Sequence, residues 1–224
     1  MNRWSDSPIP LPVIVFDSLV AIAGVVLAAG ASTRMGRNKL LLSLGEESIL
    51  RLCARRALTA GLDPVIAVLG HDAERTGQEL SGLPVRLVVN PDSERGINSS
   101  LRAGIAAASS ASEAAVVLLP DMPFVTAAMI GNLMLRYASS RAPLVVSDYG
   151  GVQAPPTLYD RRLFGELAES EGEGCGKRVA ARHAGEAAVV GFPPEALADL
   201  DSPEDYDRVR AALSARQAPC ATTS

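Results

Sequence analysis

From Ala21 onward the chain alternates two kinds of apolar pattern. Short unbroken runs rich in Val, Ile and Leu occur at Ala21 to Leu27, Pro64 to Leu69, Val85 to Val89, Ala115 to Leu119 and Pro143 to Val146. Runs without polar alternation suit strands buried on both faces. Between them, apolar residues recur at helical spacing: Ile49, Leu50, Cys53 and Ala57; Leu101, Ile105 and Ala108; Ile130, Leu133, Met134 and Tyr137. Such stripes predict amphipathic helices laid over the sheet. Repeated strand–helix alternation predicts a single-domain three-layer α/β/α fold with a mostly parallel, Rossmann-like doubly wound sheet. Ligands of such sheets bind beyond the carboxyl ends of the strands, so the loops there should carry the chemistry.

Residues 1–20 read as a loosely ordered extension. Prolines at 8, 10 and 12 lead into a short apolar run at Pro12 to Phe16, too short to span a membrane and unlike a signal peptide. An added edge strand at Val13 to Phe16 is the alternative. The expected domain covers 21–216, with a flexible tail at 217–224.

Composition narrows the classes. At 224 residues the chain can bury about 70% of its unfolded surface, enough to fold without disulfides or a structural metal. Its formal net charge of -4 argues against a general nucleic-acid binder, while a local basic loop still suits a small anion. Cys53, Cys175 and Cys220 are widely separated and have only His71 and His183 to join them, which disfavours a zinc site and suits a reducing cytoplasm. His183 and Cys53 fall on helical stretches and read as packing or solvated residues.

The loop after the first strand is the richest in chemistry. Small residues Ala28, Ala29, Gly30 and Ala31 let backbone amides approach an anion, and Arg34, Arg37 and Lys39 follow within a few positions. A triphosphate is the natural guest, although the spacing is neither that of a P-loop nor that of a dinucleotide fingerprint. Lys39 is one of two lysines among 21 basic residues, consistent with a need for a compact point charge. A glycine-tightened turn with solvated basic residues is the alternative. Later, Leu118-Leu119-Pro120-Asp121-Met122-Pro123 sets a carboxylate after a central strand. A magnesium ion carrying a triphosphate needs one or two such carboxylates.

Leu27-Ala28-Ala29-Gly30 with Ser32, Arg34-Met35-Gly36 and Lys39 resembles the LAAGxSxRMGxxK signature of the MobA-like nucleotidyltransferases, the group of molybdenum cofactor cytidylyltransferase and molybdopterin guanylyltransferase. The resemblance runs from about Ala23 to Leu213. It implies that Leu27, Ala28, Ala29, Gly30, Ser32, Arg34, Gly36 and Lys39 wrap a nucleoside triphosphate, with Ala29 leaning toward CTP. Asn90-Pro91, Gly96, Ser99, Ser100, Leu101 and Gly104 resemble the segment that closes over base and ribose, which makes Asn90 and Ser100 binding candidates. Read locally, Ser99 can cap the helix that follows. Asp121 matches the family's GDMP motif, with Pro120 where glycine is usual. Asp199-Leu200-Asp201-Ser202-Pro203-Glu204-Asp205 resembles DxDTPED and implies Asp201 as a second metal ligand, while Ser202 and Asp205 read as a capping box. The family's Gly-His-Pro is replaced by Ala154-Pro155-Pro156, so a histidine contact to a pterin is missing. A second glycine-rich stretch, Glu171 to Arg178, is a surface loop or a holder of the acceptor's phosphate.

The resemblance thus implies Mg2+-dependent transfer of CMP from CTP to a phosphorylated acceptor such as molybdopterin. Arg34, Lys39 and Asp121 would be catalytic, a molybdoenzyme would be the client, and no nucleic acid or membrane would take part. The alternatives are the same chemistry with GTP or another triphosphate and a sugar-phosphate-like acceptor, or a non-catalytic nucleotide-binding accessory protein for cofactor delivery.

Overall fold

A computed structural model describes residues 21–30, 38–109, 112–169, 174–200 and 202–217. The expected extension over 1–20, its alternative strand at Val13 to Phe16, and residues 218–224 lie outside them.

Five predicted strands are present as β1 (Ile22–Ala28), β4 (Val65–Leu69), β5 (Val85–Val89), β6 (Ala114–Leu118) and β7 (Leu144–Tyr149). A small hairpin of β2 (Ser43–Leu44) and β3 (Glu47–Ser48) follows the first loop. Beyond that hairpin, two strands of the main sheet were also not anticipated, β8 (Gln153–Asp160) and β9 (Ala188–Phe192). Pro155 and Pro156 disguise β8, since proline donates no ladder hydrogen bond. The register with β7 shifts between Val146 and Ser147, so the two prolines sit in an irregular step of the ladder.

The seven-stranded sheet has the order β5-β4-β1-β6-β8-β7-β9. Its pairs are parallel except those made by β8, which runs antiparallel to both β6 and β7. Helices cover both faces: α1 (Ile49–Thr59), α2 (Ala73–Glu79), α3 (Ile97–Ala108), α4 (Ala127–Ser140), α5 (Phe164–Glu169), α6 (Cys175–Arg182) and α7 (Pro203–Gln217). Strand β1 shows why its sequence is apolar throughout. Ile22, Val26 and Ala28 enter the core layer under α1 and α4, while Ala23, Val25 and Leu27 enter the layer under α3 and α5. Both pleat faces are therefore dry, and neither tolerates a polar residue. No helix among the described residues is long and apolar enough to cross a membrane.

Candidate active site

Four loops meet at the carboxyl edge of the sheet. After β1, Ala28 and Ala29 are buried and Gly30 is exposed. Ser32, Arg34 and Gly36 of the expected triphosphate loop lie outside the described residues, and the chain resumes at Asn38. The Asn38 Oδ1 accepts from the Leu40 amide at 3.1 Å, capping a single 3-10 turn over Lys39–Leu41. Its Nδ2 donates to Asp72 Oδ2 at 3.3 Å, which ties this turn to the loop after β4. Buried Leu40 anchors the turn from below, and Lys39 projects from it.

The Lys39 ammonium lies 2.8 Å from Asp121 Oδ2, across 82 residues of sequence. The two side chains are only 15% and 24% exposed, so the pair is shielded yet reachable. Asp121 follows β6 in a turn closed by Met122 N–H to the Leu119 carbonyl at 3.3 Å. The Asp121 carbonyl accepts from the Leu200 amide at 3.1 Å, so the late acidic segment is stitched to this turn. Asp201 itself lies outside the described residues. Next to it the expected capping box is formed: Asp205 N–H donates to Ser202 Oγ at 3.1 Å and Ser202 N–H to Asp205 Oδ2 at 3.0 Å.

Asn90 sits at the end of β5 and is buried. Its Nδ2 donates to Ser99 Oγ at 2.9 Å and Ser100 Oγ at 3.1 Å, and its Oδ1 accepts from the Asp92 amide at 3.0 Å. In this state the amide is spent on its own loop, holding Ser100 and the start of α3 in place. Ser99 is not the cap expected from sequence. Gly96, at φ 94°, occupies the cap position, and Ser99 lies inside the helix with its hydroxyl donating to the Asp92 and Gly96 carbonyls. A left-handed φ favours glycine there.

Gly70, after β4, was not singled out in the sequence. A Cβ at this position would stand 2.5 Å from the Ala29 carbonyl oxygen and 2.8 Å from Ser93 Cβ. The loops after β1 and β5 can therefore close on each other only over a glycine. Its sequence signal was a Gly directly after an apolar run, followed by His71-Asp72.

Beside these loops opens a cleft of about 470 Å³, whose walls include Leu27, Asn98, Leu101, Val117, Tyr159 and Lys177. Pro155 also lines it, at the place of the family's histidine. The carbonyls of Pro155 and Pro156 accept from Tyr149 Oη at 2.9 Å and Ser147 Oγ at 2.6 Å, which fixes this wall. Lys177 and Arg178 stand on α6 rather than in a loop, and Glu171 to Glu173 lie outside the described residues. Tyr159 Oη donates to the Gly176 carbonyl at 3.2 Å, holding the first turn of α6 against the cleft.

Burial pushes the Cys53 thiol up to about 12, so it stays protonated and unreactive beneath the Asp121 turn. His183 follows the last residue of α6, with Nε2 2.7 Å from Glu166 Oε2. Among the described residues no three His, Cys, Asp or Glu side chains gather as a complete metal site. Asp121 still fits a magnesium ion that phosphate oxygens would help to hold. Its Oδ2 meets Lys39, and its Oδ1 accepts no hydrogen bond from the described residues.

A mostly parallel sheet that brings a lysine and an aspartate together at its carboxyl edge, beside a ligand-sized cleft, has the makings of an α/β enzyme of phosphoryl chemistry. Residues 24–188 match the family described as MobA-like NTP transferase domain, and the chain belongs to that family and is a nucleotidyltransferase. It is 33% identical over 205 residues to the purine catabolism protein PucB of Bacillus subtilis, covering 86% of this chain and 98% of that one. It is 32% identical to a probable molybdenum cofactor guanylyltransferase of Opitutus terrae, over 85% of this chain and 95% of the relative. The solved structure of Rv0371c from Mycobacterium tuberculosis superposes with a TM-score of 0.78 at 28% identity, covering 87% and 99% of the two chains. A structure of that protein in complex with manganese gives 0.71 at 27% identity, over 86% and 99%.

Proposed function

We propose that the chain transfers CMP from CTP to a phosphorylated acceptor of the molybdopterin kind, with magnesium, and releases pyrophosphate. The observation that carries this reading is the Lys39–Asp121 pair at 2.8 Å, set by two separate loops at the carboxyl edge of the sheet. An ammonium serves the triphosphate and a carboxylate serves its cation, so arrival of the loaded nucleotide gives each member of the pair a new partner of opposite charge. Magnesium, when bound, neutralises phosphate charge and orients the leaving pyrophosphate.

In the proposed reaction an acceptor phosphate oxygen attacks the α-phosphorus. The new O–P bond forms as the bond to the bridging oxygen breaks, and the electron pair leaves with pyrophosphate. An acceptor phosphate is already anionic at neutral pH, so the protein need not remove a proton. Its work is positioning and charge: backbone amides of Ala28 to Gly30 at the phosphates, Lys39 and Arg34 against the developing charge, Asp121 and Asp201 toward the cation. Asn90 and Ser100 shape the base and ribose side. The relative named as a guanylyltransferase favours a second reading, the same transfer from GTP; Ala29, by its resemblance to the cytidylyl enzymes, supports the CTP reading.

Thermal midpoints with CTP, GTP, ATP and UTP, with and without magnesium, test the reading for the parent and Asp121→Ala. Ligand at about a hundred times its dissociation constant adds roughly 2.7 kcal/mol, or several degrees at about 2 to 4 °C per kcal/mol. A magnesium-dependent shift that is largest for CTP and lost in Asp121→Ala is expected. A larger shift with GTP reverses the base assignment. No shift with any nucleotide, together with no pyrophosphate release, sinks the transferase site.

A further inference from the structure

Beneath the Asp121 turn, α1 presents a basic side chain that the proposed reaction does not use. Arg56 Nη1 donates to the Pro123 carbonyl at 2.6 Å and to the Val125 carbonyl at 2.8 Å. These carbonyls lie two and four residues after Asp121. Pro123 interrupts the turn's own pattern, having no N–H, and Val125 precedes the helix cap Thr126, so its carbonyl lies outside the helical ladder. The guanidinium supplies the donor to both. Its acceptors are carbonyls rather than carboxylates, while Glu47 pairs with Arg55 at 2.7 Å. Burial depresses the Arg56 guanidinium below its ordinary value, and a half-buried cation is retained where its donors are needed. Met122, Phe124 and Val125 are buried around the same turn, and Cys53 packs one helical turn before Arg56 against it.

We infer that Arg56 is a positioning residue for Asp121, fixing the carboxylate's turn to α1 through the carbonyls of Pro123 and Val125. The inference rests on the proposed role of Asp121 and adds the element that holds it. A planar guanidinium meets two carbonyls at fixed separation, which a lysine ammonium on a flexible stem does less well. Arg51 on the same helix provides an internal control. Its Nη1 makes the same kind of contact, to the Glu79 and Ser81 carbonyls at 2.7 and 3.0 Å, but at the far end of α2.

The test compares Arg56→Met, Arg56→Lys and Arg51→Met in the full chain by amide hydrogen exchange and by pyrophosphate release. Arg56→Met should speed exchange at the amides of Met122, Phe124 and Val125. Because a small misplacement of a catalytic group is costly, kcat should fall about 10- to 100-fold while the KM for nucleotide changes less than about twofold. Half-saturation by magnesium should move upward with it, and Arg56→Lys should recover part of kcat. Arg51→Met should leave exchange in that turn and kcat near the parent. Unchanged exchange over these three amides, or equal kcat in the Arg56→Met and Arg51→Met variants, overturns the inference. A parent that releases no pyrophosphate from any nucleotide and acceptor overturns instead the reading of the site on which it rests, so the two failures are told apart.

Discussion

The two sides of the carboxyl edge are built differently. On the side proposed for the nucleotide, polar contacts brace the loops after β1, β4 and β6, Asn38 to Asp72, Lys39 to Asp121 and Asp121 to Leu200, and Asn90 braces the loop after β5 internally through Ser99 and Ser100. The other side is a cleft whose walls are mainly apolar, with Asn98, Gln153, Thr157, Tyr159, Lys177 and Asp199 as scattered polar groups. A triphosphate with its cation presents fixed charges at fixed spacings, so its site demands particular residue types in particular places. An acceptor fills a shape, and shape is set by packing that many sequences satisfy. The braced half is therefore where substitutions should abolish chemistry, and the open half is where they should retune it.

The largest effects should come from the pair that joins the loops. Asp121→Asn keeps the volume and removes the charge; kcat should drop by about a thousandfold or more with the fold intact, as expected when a charge-stabilising group is lost. A near-normal rate with an unshifted magnesium requirement would move the metal role to the late acidic segment. Lys39→Ala should cost about a hundredfold in kcat/KM for nucleotide, read as pyrophosphate release at saturating acceptor. Gly70→Ala comes next. Its Cβ would meet Ala29 and Ser93 at 2.5 to 2.8 Å, so the loops must part, at a stability cost of about 1 to 3 kcal/mol. Nucleotide KM should rise about tenfold through displaced amides at Ala29. An unchanged KM would mean that the loops close on the nucleotide in some other arrangement.

The same contrast explains what the sequence reveals. The proposed phosphate chemistry is local, so the small residues at Ala28 to Gly30, the lysine at 39 and the aspartate at 121 stand out along the chain before any fold is known. Both-face burial writes itself as unbroken apolar runs, and these locate β1, β4, β6 and most of β7; β5 forms where expected but is not buried on both faces, being the edge strand with Leu87 45% and Val89 61% exposed. The capping box at Ser202 and Asp205 is likewise a short-range signal. Roles that act through backbone atoms of distant segments leave no such trace: Gly70 matters because Ala29 and Ser93 converge on it, and Arg56 because two carbonyls sit above it. Ser99 shows a subtler limit, since a serine at a helix start is ambiguous until Gly96 takes the cap position. Strands β8 and β9 escape notice because the first contains two prolines and the second is interrupted by Gly191.

The cleft proposed for the acceptor should give the smaller effects. Lys177→Ala should raise acceptor KM several-fold, by about the worth of one exposed charge contact, and leave nucleotide KM unchanged; a change confined to nucleotide KM would assign Lys177 to the braced half instead. The last effect concerns how α6 is held at all. Glu166 on α5 accepts from His183 Nε2 at 2.7 Å and pairs with Arg182, both at the end of α6. The hydrogen bond from His183 holds the Glu166 carboxyl below its ordinary value, helped by Arg182. A depressed carboxylate pKa stabilises the folded state at pH above the unfolded value, about 4.3, and that contribution disappears as pH falls through the folded value. At pH 7, Glu166→Gln should cost only about 0.5 kcal/mol, because the groups are solvent-screened. The gap in thermal midpoint between parent and variant should close as the pH is lowered from about 5 toward 3. A gap that persists at pH 3 would show that the glutamate acts through packing rather than charge, and α6 would then be as rigidly fixed as the loops opposite it.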